Sequence, residues 1–140
     1  MNKAAVVYWS GTGNTEEMAK AVLEGLHEKG AEAALFPCDQ FHADMVKDFD
    51  ALAFGCPAMG DECLEDSVFE PMFTSCEPEL KGKKVALFGS YGWGVGEWMK
   101  NWEDQCEEAG IILAEDSVIC NDKPNEEAIQ ACKDLGASLA

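Results

Sequence analysis

The chain is short of positive charge. Ten lysines and arginines stand against 27 aspartates and glutamates in 140 residues, a formal net charge of −17. A surface of that sign repels phosphates, which excludes nucleic acid as a partner. Its positive use is steering toward basic patches on larger proteins. Long apolar runs are also absent: no segment approaches the ~20 residues of a membrane-spanning helix, so no membrane is expected as a partner. The seven cysteines (38, 56, 63, 76, 106, 120 and 132) include no C-x-x-C pair and are odd in number. Such spacing suits neither a disulfide framework nor a zinc site, and no metal is expected. Cys106 and Cys132 fall on apolar helix faces, where a small buried thiol is ordinary. Repeats, linkers and low-complexity tracts are missing. Met1-Asn2-Lys3 leads straight into an apolar strand, so no signal peptide is expected and a cytosolic protein is.

What is present is the size and make-up of one domain over residues 1–140, with 47% apolar residues. The pattern alternates strand and helix. Ala4 to Tyr8 reads as a buried strand, and Met18, Val22 and Leu26 mark one face of a helix closed by Lys29-Gly30. Ala31 to Phe36 predicts a second strand, followed by a mixed connection with one helical turn around Ala43–Val46. Ala51 to Gly55 predicts a third strand, apolar throughout as in a sheet covered on both faces. Leu64 to Phe73 reads as helical with a break at Pro71. Val85 to Phe88 predicts the fourth strand. Gly96 to Ala109 predicts a helix with Trp98, Trp102 and Cys106 on its core face. A fifth strand runs through Ile111-Ile112-Leu113, is interrupted, and resumes near Val118. A last helix spans Asn125 to Leu139 after Pro124. The expected fold is α/β, a single doubly wound five-stranded parallel sheet. Ligands of such sheets sit beyond the carboxyl ends of the strands, which singles out the loops after strands one, three and four.

The first loop, Ser10-Gly11-Thr12-Gly13-Asn14-Thr15, is suited to a terminal phosphate. Two glycines let successive N–H groups point inward, a helix begins behind them, and three hydroxyls and an amide add donors. It lacks the lysine of a P-loop, since Asn14 follows the last glycine, and Glu16 stands where a dinucleotide fingerprint needs a third glycine. With Glu16 and Glu17 adjacent and no cation nearby, one phosphate monoester fits better than a polyphosphate. After strand three comes Cys56-Pro57-Ala58-Met59-Gly60-Asp61-Glu62, with an apolar residue on a loop beside a free glycine. After strand four comes Ser90-Tyr91-Gly92-Trp93-Gly94-Val95-Gly96, whose glycines hold up two aromatics with little to pack them. A bare aromatic there is a stacking platform for a planar ring. Trp98 and Trp102, at helical spacing, read as core. One phosphate, a polar spacer and a flat heterocycle describe FMN.

These three stretches, together with Leu80-Lys81-Gly82-Lys83-Lys84, resemble the short-chain flavodoxins of anaerobic bacteria. The similarity runs from Lys3 to about Ala109 and weakens through the fifth strand and last helix. The resemblance implies strand order 2-1-3-4-5. It implies that Ser10 to Thr15 hold the phosphate, and that Ala58 and Ser90 contact the ribityl chain and ring edge. Met59 and Trp93 would flank the isoalloxazine, and Pro57, Tyr91, Gly92 and Gly94 would shape its slot. The Gly60-Asp61 peptide would flip on reduction to offer its carbonyl to flavin N5–H, and Glu62 would serve N3–H. Trp9 would shield the phosphate, and contacts from Cys120-Asn121-Asp122 are left open.

The function so implied is a low-potential one-electron carrier with non-covalent FMN, passing between neutral semiquinone and anionic hydroquinone in place of or beside ferredoxin, and not an enzyme. No Lys or Arg lies in the three loops, and Asp61, Glu62, Glu65 and Asp66 oppose the reduced anion. One carboxylate at ~12 Å and an effective ε of ~20 costs about 1.4 kcal/mol, or roughly 60 mV for one electron. Expected partners are reductases and ferredoxin-linked oxidoreductases with basic docking surfaces, met by a monomer. The alternative is an FMN-dependent NAD(P)H:quinone-type oxidoreductase on the same fold, for which these 140 residues supply no nicotinamide site. A phosphate-receiver module is excluded, because Ser10-Gly11-Thr12 replaces the carboxylates it would need.

Overall fold

The structure, a computed structural model, describes residues 2–140. Strands β1 (Lys3–Tyr8), β2 (Glu32–Pro37), β3 (Ala51–Gly55), β4 (Lys84–Tyr91) and β5 (Val118–Asn121) form one sheet in the order β2-β1-β3-β4-β5. Every neighbouring pair is parallel. Four helices cover it: α1 (Asn14–Glu28), α2 (Phe69–Cys76), α3 (Glu97–Glu108) and α4 (Glu126–Leu139).

Side chains alternate between the two faces of the sheet, so each strand feeds two cores. On one face Ala5, Val7, Leu52, Phe54, Val85 and Leu87 pack with Phe69, Phe73, Trp98 and Trp102 from α2 and α3. On the other, small residues prevail (Ala4, Ala51, Ala53 and Ala86), beneath α1 and α4. Those two helices touch backbone to backbone. A Cβ at Gly25 would lie 2.0 Å from Lys133 O, and one at Gly136 would lie 2.0 Å from Val22 O. The small strand residues and the paired glycines draw α1 close to the sheet, which fixes where the start of α1 stands relative to the ends of β3 and β4.

Several boundaries differ from the sequence reading. Between β2 and β3 the chain makes two 3-10 turns, Cys38–Gln40 and Ala43–Asp48. Leu64 to Val68 is not helical; α2 begins at Phe69 and continues to Cys76. Pro71 does not break it, because it occupies the first turn, where a missing N–H loses no helical bond. β4 runs on past Phe88, so Ser90 and Tyr91 are strand residues paired with Cys120 and Asn121 of β5. The fifth strand is regular only from Val118; Ile111 and Ile112 are not strand, and Leu113 makes an isolated bridge to Val85.

Candidate functional site

The carboxyl ends of β1, β3 and β4 lie side by side, and the three loops leave the sheet there. At the end of β1, Trp9 N–H donates to Gly55 O (3.0 Å), keeping the chain against β3 for one more residue. Ser10 Oγ then accepts from Gly13 N–H at 3.0 Å, closing the loop into a small ring. Gly13, the residue before α1, has φ +98°, a conformation that favours glycine, and no side chain caps the helix. The first N–H groups of α1 are left for an anion, at the positive end of the helix dipole. Trp9 packs over Gly11, where a Cβ would come within 3.1 Å of the indole ring. Tyr8 Oη donates to Glu16 Oε2 at 3.0 Å; burial first, and then this carboxylate, raise the tyrosine pKa. The Thr15 hydroxyl is buried, 3.2 Å from Ser90 Oγ, and ties the start of α1 to β4.

The loop after β3 is braced at both ends. Cys56 N–H donates to Phe88 O (3.1 Å) and Ala58 N–H donates to Ser90 O (3.0 Å), so this segment follows β4. Burial pushes the Cys56 thiol pKa far up, which makes it a core group rather than a reactive one. Met59 and Cys63 exchange two backbone hydrogen bonds of 2.8 Å, closing a tight hairpin around Gly60, Asp61 and Glu62. Gly60 (φ +50°) and Glu62 (φ +55°) both adopt left-handed backbone within it. Glu62 is held there by its carboxylate: Oε1 accepts from Gly96 N–H (3.1 Å) and Glu97 N–H (2.9 Å), capping α3. It reaches that helix past Gly94, where a Cβ would stand 2.6 Å from the carboxyl carbon.

Glu65, named from sequence among four carboxylates that oppose the reduced anion, is buried. Oε1 accepts from Val68 and Phe69 N–H at 2.8 Å, and Oε2 accepts from Ser67 N–H (2.9 Å) and the Ser67 hydroxyl. Burial alone would raise its pKa, but these donors together hold it at about 2. The charge therefore persists at neutral pH and fixes the start of α2.

Beyond β4 the two aromatics differ. Tyr91 is half-buried against Trp98, with ring centroids 5.5 Å apart, so it is not a bare platform. Trp93 is, at 63% exposure, and Met59 is exposed on the loop after β3. A cleft of about 210 Å³ joins the loops, lined by Trp9, Gly11, Thr12 and Asn14, by Pro57, Ala58 and Met59, and by Ser90, Tyr91, Gly92 and Asp122. A larger cleft of about 500 Å³ lies along α3, α4 and the approach to β5. Its charged lining is Glu103, Glu115, Asp116 and Asp134. That cleft contains none of the three loops and offers a phosphate only repulsion.

The flavodoxin family model matches residues 6–136. The chain is 46% identical to the flavodoxin of Megasphaera elsdenii over 135 residues, 96% of each protein. It is 43% identical to that of Clostridium beijerinckii, covering 96% of this chain and 97% of that one. The solution structure of two-electron reduced Megasphaera elsdenii flavodoxin superposes with a TM-score of 0.89, covering 97% of each chain.

This chain belongs to the flavodoxin family. It is a small FMN-binding electron carrier rather than an enzyme, and the quinone-reductase alternative is not favoured. The residues present fit the cofactor: an uncapped helix start for its phosphate, and an exposed indole and thioether for its ring. This flavodoxin brings Gly11, Thr12, Asn14, Pro57, Ala58, Met59, Ser90, Tyr91 and Gly92 onto one cleft. Ser10 and Gly13 close the ring beneath it, and the buried Thr15 hydroxyl lies against the cleft-lining Ser90. Trp93 stands on the loop beside the cleft, Gly94 gives room to the Glu62 carboxylate, and Gly60 and Asp61 form the hairpin tip. Asp122, left open in the sequence reading, does reach the cleft: its N–H donates to Tyr91 O at 2.8 Å, and Oδ1 lies near Gly92. Its sequence signal is the turn chemistry of Asn121-Asp122-Lys123-Pro124.

Proposed function

We propose that this flavodoxin is a low-potential one-electron carrier whose FMN lies across all three loops at the carboxyl edge of the sheet. The observation that carries the reading is the convergence there of an uncapped helix start with an exposed indole and an exposed thioether. Backbone N–H groups of Ser10 to Thr15, with the Ser10, Thr12 and Thr15 hydroxyls and the Asn14 amide, hold the phosphate. Ala58 and Ser90 contact the ribityl chain and ring edge. Met59 and Trp93 enclose the ring, in a slot shaped by Pro57, Tyr91, Gly92 and Gly94. The Gly60-Asp61 carbonyl serves as acceptor for N5–H, and the Glu62 carboxylate for N3–H.

Bound FMN supplies the one-electron chemistry, and the protein sets how readily each electron is accepted. The hairpin is pinned at Met59 and Cys63, so a rotation of the Gly60-Asp61 peptide stays local. Asp61, Glu62, Asp66 and the persistently ionised Glu65 surround it with negative charge, with no lysine in the three loops. They oppose a second added negative charge, which lowers the second potential.

The same charges select the partner. Glu16, Glu17, Asp39, Asp61, Asp66 and Asp122 lie where strands end, around three loops that hold no lysine. The cofactor edge is thus negative, and it steers the protein toward a redox partner with a basic docking surface. A monomeric, cytoplasmic protein with residues 1–140 as one FMN-binding domain completes the reading.

Stepwise dithionite reduction followed by visible spectroscopy tests it. Two flavin bands that give way to broad long-wavelength absorbance and then bleach are expected. Direct bleaching without the long-wavelength band overturns one-electron carriage, and a colourless protein that refuses added FMN overturns the assignment of the loops.

A further inference from the structure

The helical spacing of Trp98, Trp102 and Cys106 makes all three core residues, and all three are buried. The two indoles nevertheless do different things. We propose that Trp98 is a positioning residue for the cofactor: it holds the two ring-enclosing loops in register through a hydrogen bond from its indole N–H to the Cys56 carbonyl. The proposal rests on the FMN reading above and adds to it a residue outside the three loops.

Trp98 Nε1 lies 3.0 Å from Cys56 O in a fully buried setting, across 42 residues of sequence. Cys56 is the junction between β3 and the Pro57-Ala58-Met59 segment. Its N–H donates to Phe88 O, and its Sγ accepts from Glu65 N–H at 3.4 Å. The carbonyl faces β4 at Gly89, where a Cβ would stand 2.2 Å from Cys56 O and 3.2 Å from Trp98 Cζ2. Any side chain at 89 would therefore push the carbonyl and the indole apart. The other end of the contact is Tyr91, packed on the Trp98 ring with centroids 5.5 Å apart. One indole thus bonds the end of β3 and packs on the end of β4, the two strands from which Met59 and Trp93 are carried. Without that donor, the buried Cys56 carbonyl is unsatisfied in the oriented state of the loop, and rotating away relieves it.

Trp102 supplies the internal control. It lies on the same helix one turn on, is equally buried, and packs edge-on with Phe69 and Phe73. Its Nε1 has no hydrogen-bond partner among the described residues. Phenylalanine at either position removes similar mass and one N–H, but only at 98 does a loop carbonyl lose its donor.

The experiment compares Trp98→Phe with Trp102→Phe. The readouts are FMN affinity by fluorescence titration, the two one-electron midpoint potentials, and hydrogen exchange of the Ala58 amide in the protein as purified. Trp98→Phe should weaken FMN binding about tenfold, the equivalent of one buried hydrogen bond. It should also speed Ala58 exchange and shift the potentials, while Trp102→Phe leaves affinity within about twofold. Equal behaviour of the two variants in every readout overturns the proposal and leaves Trp98 as core mass. If Trp98→Phe fails to fold, benzothienylalanine at position 98, which replaces only the N–H by sulfur, is measured against wild type. Unchanged affinity, exchange and potentials in that variant overturn the proposal as well. A wild-type protein that binds no FMN refutes the cofactor reading instead, and Ala58 exchange still decides whether Trp98 holds the loop.

Discussion

Replacing Glu65 by glutamine should destabilise the protein by about 2–3 kcal/mol at neutral pH and by almost nothing near pH 2. The carboxylate accepts from the Ser67 hydroxyl and from the N–H groups of Phe69, Val68 and Ser67, and its pKa is about 2 against an ordinary 4.5. At about 1.4 kcal/mol per pKa unit that difference is worth about 3.5 kcal/mol, part of which glutamine keeps through its remaining acceptor oxygen. Its sign is fixed by linkage. The folded pKa lies below the unfolded one, so the stabilisation is complete above about pH 4.5 and disappears as pH falls through about 2. Glutamine keeps one acceptor oxygen but turns an NH2 toward donors, losing both the charge and half of the acceptor set. The assay is urea unfolding of both FMN-free proteins at a series of pH values, taking the difference so that other carboxylates cancel. With an m-value of about 1.5 kcal/mol/M, the midpoints should be separated by roughly 1.5–2 M at pH 7 and should converge in acid. A separation that does not change with pH, or none at pH 7, would refute the account of Glu65 as a buried charge fixed by helix-start donors.

Ser10→Ala removes the acceptor of Gly13 N–H and one phosphate donor; FMN should bind about tenfold more weakly, while riboflavin, which lacks the phosphate, binds as before. An equal loss for both ligands in parallel titrations would place Ser10 outside the phosphate site. Trp93→Ala should weaken FMN binding by about 1–3 kcal/mol through lost stacking, yet leave the thermal midpoint of the FMN-free protein unchanged, because the side chain is 63% exposed. A lowered midpoint would mean the indole caps the core. Gly60→Ala places a Cβ on left-handed backbone at φ +50°, at a cost of about 1–2 kcal/mol. The long-wavelength band in a dithionite titration should diminish; a band of undiminished height removes the argument from peptide rotation.

Much of this was legible in the sequence because the signals are local. The Gly11 and Gly13 loop between an apolar strand and an amphipathic helix reports a strand-to-helix turn with free N–H groups, and the structure has that turn. Apolar runs such as Ala51 to Gly55 report strands covered on both faces. What escaped was set by partners distant in the chain, or by a local backbone course that residue types alone do not mark. Ser90 and Tyr91 looked like loop because their sequence is glycine-rich, but pairing with Cys120 and Asn121 extends the strand through them. The link from the Thr15 hydroxyl to Ser90, which ties α1 to β4, is not marked in either stretch of sequence. Glu65 looked like one more acid in an acidic chain, and only the folding of residues 65–69 around its carboxylate shows that its charge is internal. Pro71 looked like a helix breaker because its position relative to the start of α2 could not be read without that cap.

The sequence alone determined the layered α/β plan, the three functional loops and the kind of ligand they suit, because hydrophobic period, turn chemistry and donor content are properties of short stretches. Tertiary structure decided which hydroxyl ties α1 to β4, which carboxylate caps α3, and which of two identical-looking indoles donates to a loop. Those outcomes depend on the crossing of segments 34 to 75 residues apart, joined by single hydrogen bonds such as Thr15 to Ser90, Trp98 to Cys56 and Glu62 to Gly96. No local pattern encodes a hydrogen bond across such a distance; it exists only once the sheet has brought both ends to the same edge.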